Sequence, residues 1–346
     1  APANTSTNSG TMNINTGGVF TAPAVYNNTG TTNLNGTGNI SGAFSGGVGS
    51  ILNIGHTSPV NYTTSGTITG VETINVVSSG TIFTAANAIS GVDTTFTVAS
   101  GTEARFNAAL TGTGTFTNNG NTTIAVGGSI GTTGIFSNTA TFTTNVPFAP
   151  VASSSNTGTI NINSGGSLTI PATFTSTAGT ITTTGTGLLT VANPLNGIVT
   201  NAGTTNVTAA FAPANTSTNS GTMNINTGGS FAQPATYSYT GAINLNTGAT
   251  PIIGNLNGST GSILRIGNTA PITYTTSGTI AGVETINVLT SGTTFTANNA
   301  ISGVNVLFKA FAGTTTHINA PFSGTGIVEN SGIMTIDNTF NSGFIT

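Results

Sequence analysis

The stretch Gly70-Val-Glu-Thr-Ile-Asn-Val-Val-Ser-Ser-Gly-Thr-Ile-Phe83 decides the fold, because Gly282 to Phe295 repeats it almost word for word. A short alternating strand around Ile74 and Val76 follows its first glycine. Ten residues after that glycine, Gly80 opens a second strand. This spacing leaves room for turns and strands and none for a helix. The chain is therefore predicted to be all-β and repetitive.

The repeat has a period of about 20 residues. Glycines that open similar strands recur at steps of 19 to 21, from Gly10 to Gly112 and again from Gly221 to Gly343. A chain that repeats in this way grows along one axis, so its 346 residues do not imply several globular domains. We expect one solenoid domain spanning 1–346.

A longer duplication is superposed on this period. Residues 1–135 resemble 212–346, and the phrase Ala1–Gly18 recurs unchanged at Ala212–Gly229. Residues 136–211 are less regular, which we interpret as linking rungs of the same solenoid with longer turns. A third, weaker copy in this region lies 63 residues before its counterpart, which predicts a separation of three rungs of 21.

Period-2 alternation within the strands predicts one buried and one exposed side. The predicted inward residues are Met12, Ile14, Leu34, Leu52, Ile54, Ile74 and Val76. The predicted outward asparagines are Asn13, Asn15, Asn33, Asn35, Asn53 and Asn75, and a second outward column holds Asn224, Asn244, Arg265 and Asn287. Amides stacked in this way form hydrogen-bonded ladders.

Strands this short bury their apolar side only if the chain coils so that each turn, or rung, lies on the previous one. We therefore predict a right-handed parallel β-helix (β-solenoid) of about 16 rungs of about 20 to 21 residues. At roughly 4.8 Å per rung this would be a rod of about 75 to 80 Å. Two long faces and a shorter third are favoured, and a flat two-sheet solenoid is the alternative.

The composition excludes several classes of function. Only 3% of the residues are charged, the net charge is -3, and there is no cysteine for disulfides or thiolate metal sites. The three basic residues, Arg105, Arg265 and Lys309, are too few for nucleic-acid binding. No apolar run is long enough to cross a membrane, so we expect no membrane insertion of this segment.

The few residues that could carry chemistry are scattered. Glu72 and Asp93 lie about one rung apart, as a glycosidase carboxylate pair would. Their counterparts in the second copy are Glu284 and Asn305, and the loss of one acid favours surface decoration over catalysis.

The remaining charged candidates also give no site. Glu103 and Arg105 lie on the same face of one strand, so we expect them to form an exposed ion pair. His56 and His317 align with non-histidine residues in the other copy, so neither belongs to a repeating metal cluster. We predict no catalytic residue, no cofactor and no metal site, and hence a protein that is not an enzyme.

Three kinds of phrase carry a family resemblance: Gly70-Val-Glu-Thr-Ile-Asn-Val76, Ser79-Gly-Thr-Ile-Phe83 and the many Asn-x-Gly-Thr-x-Asn-Ile phrases. In these phrases the chain resembles passenger regions of Gram-negative autotransporters and filamentous-haemagglutinin-like surface proteins. The resemblance covers essentially the whole chain. It implies a right-handed β-helix exported by type V secretion to the extracellular, bacterial cell-surface side. There it would act as an adhesin, fibre or surface-layer component.

The expected function is thus a non-catalytic, extracellular structural or adhesive β-solenoid that forms a rod, fibre or surface layer. Its expected partners are other copies of itself, joined end to end or laterally, and a host-cell or matrix surface. Terminal rungs without polar caps favour such stacking. Two alternatives remain, an ice-binding β-solenoid and a polysaccharide-binding or polysaccharide-processing β-helix.

Overall fold

A computed structural model describes residues 5–23, 25–246 and 251–346, and in this part of the chain every regular element is a β-strand. Parallel strands stack about 20 residues apart and form a β-solenoid of about 16 turns, as the repeat predicts. The right-handed sense of the coil stays a prediction. The chain divides into two compact units, residues 1–174 with 178–180 and residues 175–177 with 181–346.

The strands are short, mostly two to four residues. In chain order the first are β1 (Thr5–Asn8), β2 (Thr11–Ile14), β3 (Val19–Thr21), β4 (Val25–Asn28), β5 (Thr31–Leu34), β6 (Asn39–Ser41), β7 (Phe44–Ser45), β8 (Ile51–Ile54), β9 (Asn61–Thr63), β10 (Ile68–Thr69), β11 (Thr73–Val76), β12 (Ile82–Ala85), β13 (Ile89–Ser90), β14 (Thr95–Val98), β15 (Glu103–Phe106), β16 (Ala109–Gly112), β17 (Thr115–Asn118), β18 (Asn121–Ile124), β19 (Ser129–Thr132), β20 (Phe136–Asn138), β21 (Thr141–Thr144), β22 (Pro147–Phe148), β23 (Ser155–Asn156), β24 (Thr159–Ile162) and β25 (Ser167–Thr169).

The following strands are β26 (Thr180–Thr183), β27 (Leu188–Val191), β28 (Ile198–Asn201), β29 (Thr204–Val207), β30 (Ala210–Phe211), β31 (Thr218–Asn219), β32 (Thr222–Ile225), β33 (Ser230–Ala232), β34 (Ser238–Tyr239), β35 (Ala242–Leu245), β36 (Ile252–Ile253), β37 (Leu256–Asn257), β38 (Ile263–Ile266), β39 (Thr273–Thr275), β40 (Ile280–Ala281), β41 (Thr285–Val288), β42 (Thr294–Ala297), β43 (Ile301–Ser302), β44 (Leu307–Ala310), β45 (Thr315–Ile318), β46 (Phe322–Ser323), β47 (Ile327–Asn330), β48 (Ile333–Ile336), β49 (Phe340–Asn341) and β50 (Phe344–Ile345).

Each regular rung of the first unit contributes one strand to each of three parallel sheets. The first sheet runs β2-β5-β8-β11-β14-β17-β20-β23, the second includes β9-β12-β15-β18-β21-β24, and the third runs β7-β10-β13-β16-β19. The third sheet begins with two-residue strands. This matches the prediction of two long faces and a shorter third, and not the flat two-sheet alternative.

The second unit repeats this plan. One long sheet includes β27-β29-β32-β35-β38-β41-β44-β47-β50, and the rungs of its regular part add the sheets β39-β42-β45-β48 and β37-β40-β43-β46-β49. The register is in step with the repeat, for example Thr285 opposite Leu307 and Ile286 opposite Phe308.

The core follows the predicted alternation. Leu34, Leu52, Ile54, Ile74 and Val76 are fully buried, and Ile14 is nearly so. Met12 lies on the same inward column but is half-buried.

Rung length departs from the prediction between the two copies. Stacked side chains are 20 to 22 residues apart in the first copy, but Asn138 and Asn156 are only 18 apart, as are Asn201 and Asn219. The linking region therefore contains rungs of 18 residues, shorter than the expected 20 to 21. A tighter coil suffices here because several inward positions are asparagine or threonine in place of larger apolar residues. The linking region also contains the ten-residue connection 170–179 between β25 and β26, a longer turn of the kind that the glycine spacing predicts.

The shorter rungs move a repeated phrase from one face of the coil to another. Thr-Met-Asn-Ile at 11–14 lies in the first sheet, whereas Thr-Ile-Asn-Ile at 159–162 lies in the second. Both positions belong to the first unit. The 148 residues that separate them (159 − 11) are not a whole number of rungs. Copies of a phrase therefore need not stack directly above one another.

Candidate binding surface

The outward asparagines of the first copy form a hydrogen-bonded ladder. The amide nitrogen of Asn33 donates to Oδ1 of Asn13 (2.8 Å), that of Asn53 to Asn33 (2.8 Å), and that of Asn75 to Asn53 (2.9 Å). The predicted ladder is confirmed. Asn33 is only 4% exposed, although it points outward, because the side chains above and below it shield its amide. Asn35 is buried in the same way, next to Asn15.

The second copy begins an equivalent ladder and then breaks it. Asn224 donates to Asn206 (2.9 Å) and Asn244 to Asn224 (2.8 Å), but the next rung carries Arg265, whose guanidinium donates to Asn244 (3.2 Å). Further along the column Lys309 pairs with Glu329 at 2.6 Å. The outward column therefore holds amide side chains on some rungs and charged side chains on others, with the same backbone arrangement.

The carboxylates considered as a catalytic pair each accept hydrogen bonds from a turn. Oε2 of Glu72 accepts from the backbone N–H of Gly49 (2.9 Å), and Glu284 does the same for Gly261 (2.9 Å). Oδ1 of Asp93 accepts from both the N–H and the hydroxyl of Thr113, at 2.9 and 3.0 Å. These contacts give each acid a structural role.

In the second copy an uncharged side chain makes the turn contacts that Asp93 makes in the first. Oδ1 of Asn305 accepts from the N–H of Thr325 at 3.2 Å and from its hydroxyl at 3.1 Å. An amide oxygen and a carboxylate oxygen are equivalent acceptors here, so the position does not require an ionisable group.

The other charged candidates do not come together in a common site. Glu103 and Arg105 form the predicted ion pair at 2.5 Å, with Arg105 about half exposed. The Glu103 carboxylate raises the pKa of the Arg105 guanidinium. His56 is exposed in a loop, and His317 is half-buried between Thr296 and Thr335 in its sheet. Among the described residues no three His, Asp or Glu side chains lie close enough to hold a metal ion.

A second set of asparagines points inward and was missed by the sequence analysis. Asn118, Asn138 and Asn156 are buried at a corner of the coil. Asn118 Nδ2 donates to Asn138 Oδ1 (2.7 Å) and to the carbonyl of Thr141 (2.9 Å), while its own oxygen accepts from Thr122 (2.8 Å). Asn138 repeats the pattern towards Asn156 (2.7 Å). These amides satisfy backbone carbonyls where the chain turns from one sheet to the next.

The same arrangement recurs in the second unit. Asn201 donates to Asn219 (2.6 Å) and to the carbonyl of Thr222 (3.0 Å). Most of these residues begin an Asn-x-Gly-Thr or Asn-x-Ala-Thr phrase, as at 156–159 and 138–141. That phrase was the available signal in the sequence, because its asparagine, two positions before the glycine or alanine, faces inward.

A tyrosine replaces the corner asparagine on the following rung. Tyr239 is fully buried, and its hydroxyl donates to the carbonyl of Ile263. Burial raises the pKa of Tyr239 and of Tyr62, Tyr237 and Tyr274, because an ionised phenol would lose its hydration inside the coil.

The first copy contains a recess on its outer surface between two rungs. Strand β6 pairs with β3, and β9 pairs with β12, but β6 and β9 are not paired with each other. The gap is a polar cleft of about 480 Å³, and we call it the β6–β9 cleft. Its lining is Gly36, Thr37, Gly38, Asn39, Asn61 and Thr63.

No protein-family model, curated protein or solved structure matches this chain. The described residues include no helix that is long and apolar enough to cross a membrane.

Proposed function

We propose that this chain is a non-catalytic structural or adhesive β-solenoid that works outside the cell, on a bacterial surface, as part of a fibre or surface layer. Its partners are other copies of itself and a host-cell or matrix surface. The observation that carries the proposal is the outward asparagine ladder, in which equivalent neutral groups recur at one-rung intervals.

The ladder supports this function for two reasons. Its amides are held in place by neighbouring rungs, so little side-chain entropy is lost when a partner binds. Equivalent groups on successive rungs also allow many weak contacts to act together through a high effective concentration. The resemblance to autotransporter passenger regions supports the extracellular setting.

Self-association is tested with the purified chain at rising concentration, by sedimentation velocity and electron microscopy. We expect ordered assemblies, and only dispersed short particles at high concentration would overturn the self-association. A variant with Thr97→Lys and Thr117→Lys places two like charges on the outward column and should reduce assembly at low salt. The matched control, Thr97→Lys with Thr117→Glu, copies the Lys309–Glu329 pair and should assemble normally.

Adhesion is tested separately with beads coated with the chain. We expect the beads to attach to cultured cells or to immobilised matrix more strongly than beads coated with an unrelated soluble protein. Equal attachment of both bead types, together with dispersed particles in the microscope, would overturn the proposal as a whole.

A second candidate function, ice binding, is favoured by one observation. Thr95 and Thr97 lie beside Thr115 and Thr117 on neighbouring strands, so two Thr-x-Thr pairs stand in register on the outer face. The threonine array extends over these two strands only, because the strands on either side present Asn75 and Ser137 in the column of Thr97 and Thr117. Measurable thermal hysteresis in solutions of the chain would favour this candidate.

A further inference from the structure

The β6–β9 cleft arises from a difference in loop length. Residues 35–38 connect β5 to β6, whereas residues 55–60 connect β8 to β9 on the next rung and include Pro59. The longer loop is fixed to the rung below, because the N–H and hydroxyl of Thr57 both donate to Oδ1 of Asn35, at 2.9 and 3.0 Å. The two additional residues separate β9 from β6.

The same break occurs in the second copy. Residues 267–272 connect β38 to β39 and include Pro271, and β36 is not paired with β39. In both copies a serine bridges the far end of the break. Ser65 donates to the carbonyl of Ile40 and accepts from the N–H of Gly42, and Ser277 occupies the equivalent position. The break is therefore a built feature of the repeat and not an isolated irregularity.

Three polar side chains of the cleft have no hydrogen-bond partner within the described residues, in contrast to those of the ladder, whereas the hydroxyl of Thr37 accepts from the N–H of Gly17 at 2.8 Å. Ladder amides donate to one another, whereas the side chains of Asn39, Asn61 and Thr63 make no hydrogen bond to another described residue. They lie at the two unpaired strand edges and face a common space. Two amides and a hydroxyl supply donors and acceptors together.

The chemistry of the lining selects a ligand class. No lining residue is charged, so an anion or a cation finds no counter-charge. No lining residue has a large apolar side chain, so an added peptide strand finds no side-chain pockets, and its backbone pairing with β6 is interrupted where Ser65 already donates to the Ile40 carbonyl. A neutral compound with several hydroxyl groups can satisfy both the donors and the acceptors.

We propose that the β6–β9 cleft is a binding site for a neutral sugar unit, held by Asn39, Asn61 and Thr63. The biological role of this site rests on the adhesive part of the proposed function. A weak sugar site contributes to attachment when many chains bind together. Hydrogen bonds in an open, solvated cleft give weak binding, of roughly millimolar affinity.

The test is a titration of the isotope-labelled chain, followed by amide chemical shifts, with neutral oligosaccharides of glucose, galactose, mannose and N-acetylglucosamine. We expect one of these probes to shift the amides of residues 36–39 and 61–63. The Asn39→Ala, Asn61→Ala double variant should bind that probe at least tenfold more weakly. Asn121→Ala is the matched control, because Asn121 is an exposed asparagine of the same sheet as Asn61 but lies outside the cleft, and it should bind normally.

Several results would overturn the site. These are no shift with any neutral probe, equal binding by the double variant, equal weakening in Asn121→Ala, or tighter binding of a uronic-acid oligomer. The outcome is separable from that for the proposed function. A chain that binds sugar but stays dispersed overturns only self-association, and one that assembles without binding sugar overturns only the cleft.

Discussion

The two copies of the repeat have nearly the same strands but different outer surfaces. The first copy presents Asn53, Thr97 and Thr117 at outward positions where the second presents Arg265, Lys309 and Glu329. The ion pair Glu103–Arg105 of the first copy is likewise replaced by Thr315 and His317. Among the described residues, each copy thus has one ion pair, and the two pairs lie on different sheets.

This difference separates what specifies the coil from what decorates it. Inward positions such as Ile74 and Ile286, or Phe83 and Phe295, keep their residue type in both copies and are fully buried in both. Outward positions change charge with no change of register. The backbone hydrogen bonds between strands and the apolar interior therefore determine the rung, and the residues of the outer columns can vary.

The largest expected effect concerns the aromatic core. The ring of Phe83 lies within 6.4 Å of those of Tyr62, Phe96 and Phe106, whereas the equivalent Phe295 approaches Tyr274 and Phe308. Either phenylalanine changed to alanine should lower the free energy of unfolding by about 3–5 kcal/mol. Phe83→Ala should cost about 1 kcal/mol more because it loses an additional aromatic pair. Denaturant titration of both variants checks this, and a larger loss in Phe295→Ala would contradict it.

The corner asparagines provide the next comparison. Asn118 is fully buried and hydrogen-bonded to Asn138, Thr122 and Thr141, whereas its counterpart Asn330 is exposed. We expect Asn118→Ala to lower the free energy of unfolding by about 1–3 kcal/mol, because buried polar groups lose their partners. Asn330→Ala should change it by less than about 0.5 kcal/mol. Equal effects in the two variants would show that the interior amides do not stabilise the corner.

Alkaline pH should weaken both copies alike. Burial raises the pKa of Tyr62 and Tyr274 above that of an exposed tyrosine. The contribution of the neutral phenols to stability is therefore fully present below about pH 10. Above that pH the tyrosines of the unfolded chain ionise first, so the free energy of unfolding falls by about 1.4 kcal/mol per tyrosine for each pH unit. Denaturant titrations from pH 8 to pH 12 measure the slope. Tyr62→Phe and Tyr274→Phe should each reduce it by the same amount, and an unchanged slope in either would exclude that tyrosine as a cause.

The smallest expected effect concerns the ion pairs. Lys309 and Glu329 are each about one-third exposed, so their attraction is weakened by solvent. Replacing them with the residues of the first copy, Lys309→Thr and Glu329→Thr, should show a coupling of about 0–1 kcal/mol in a double-mutant cycle. High salt should abolish it. A coupling of several kcal/mol that persists in salt would mean that the charged column stabilises the second copy specifically.

Much of the fold could be predicted because it depends on local patterns. Alternation placed Leu52 and Ile74 inside and Asn53 and Asn75 outside, and the glycine period gave the rung. Rung length near Asn138 could not be predicted. It depends on how wide the interior must be, and a buried asparagine and a turn asparagine look alike in a sequence rich in both.

The surface could be predicted only in part. The ladder followed from stacking identical residues, but the β6–β9 cleft depends on a mismatch between two successive loops, at residues 35–38 and 55–60. Such a mismatch becomes visible only when the rungs are aligned against each other in space. The turn contacts of Glu72 and Asp93 were hidden for the same reason, since their partners lie on neighbouring rungs.

The displacement of one phrase between two faces has a consequence for how such a gene can lengthen. Because Thr-Met-Asn-Ile at 11–14 and Thr-Ile-Asn-Ile at 159–162 both fit, though on different sheets, a recombination event need not insert a whole number of turns. Unequal crossing-over that adds strand-and-turn units, and not only whole rungs, can then add material that keeps the inward and outward alternation, and each such insertion rotates the downstream motifs around the axis. A lineage could in this way change which chemical groups face a partner without altering a single codon within them.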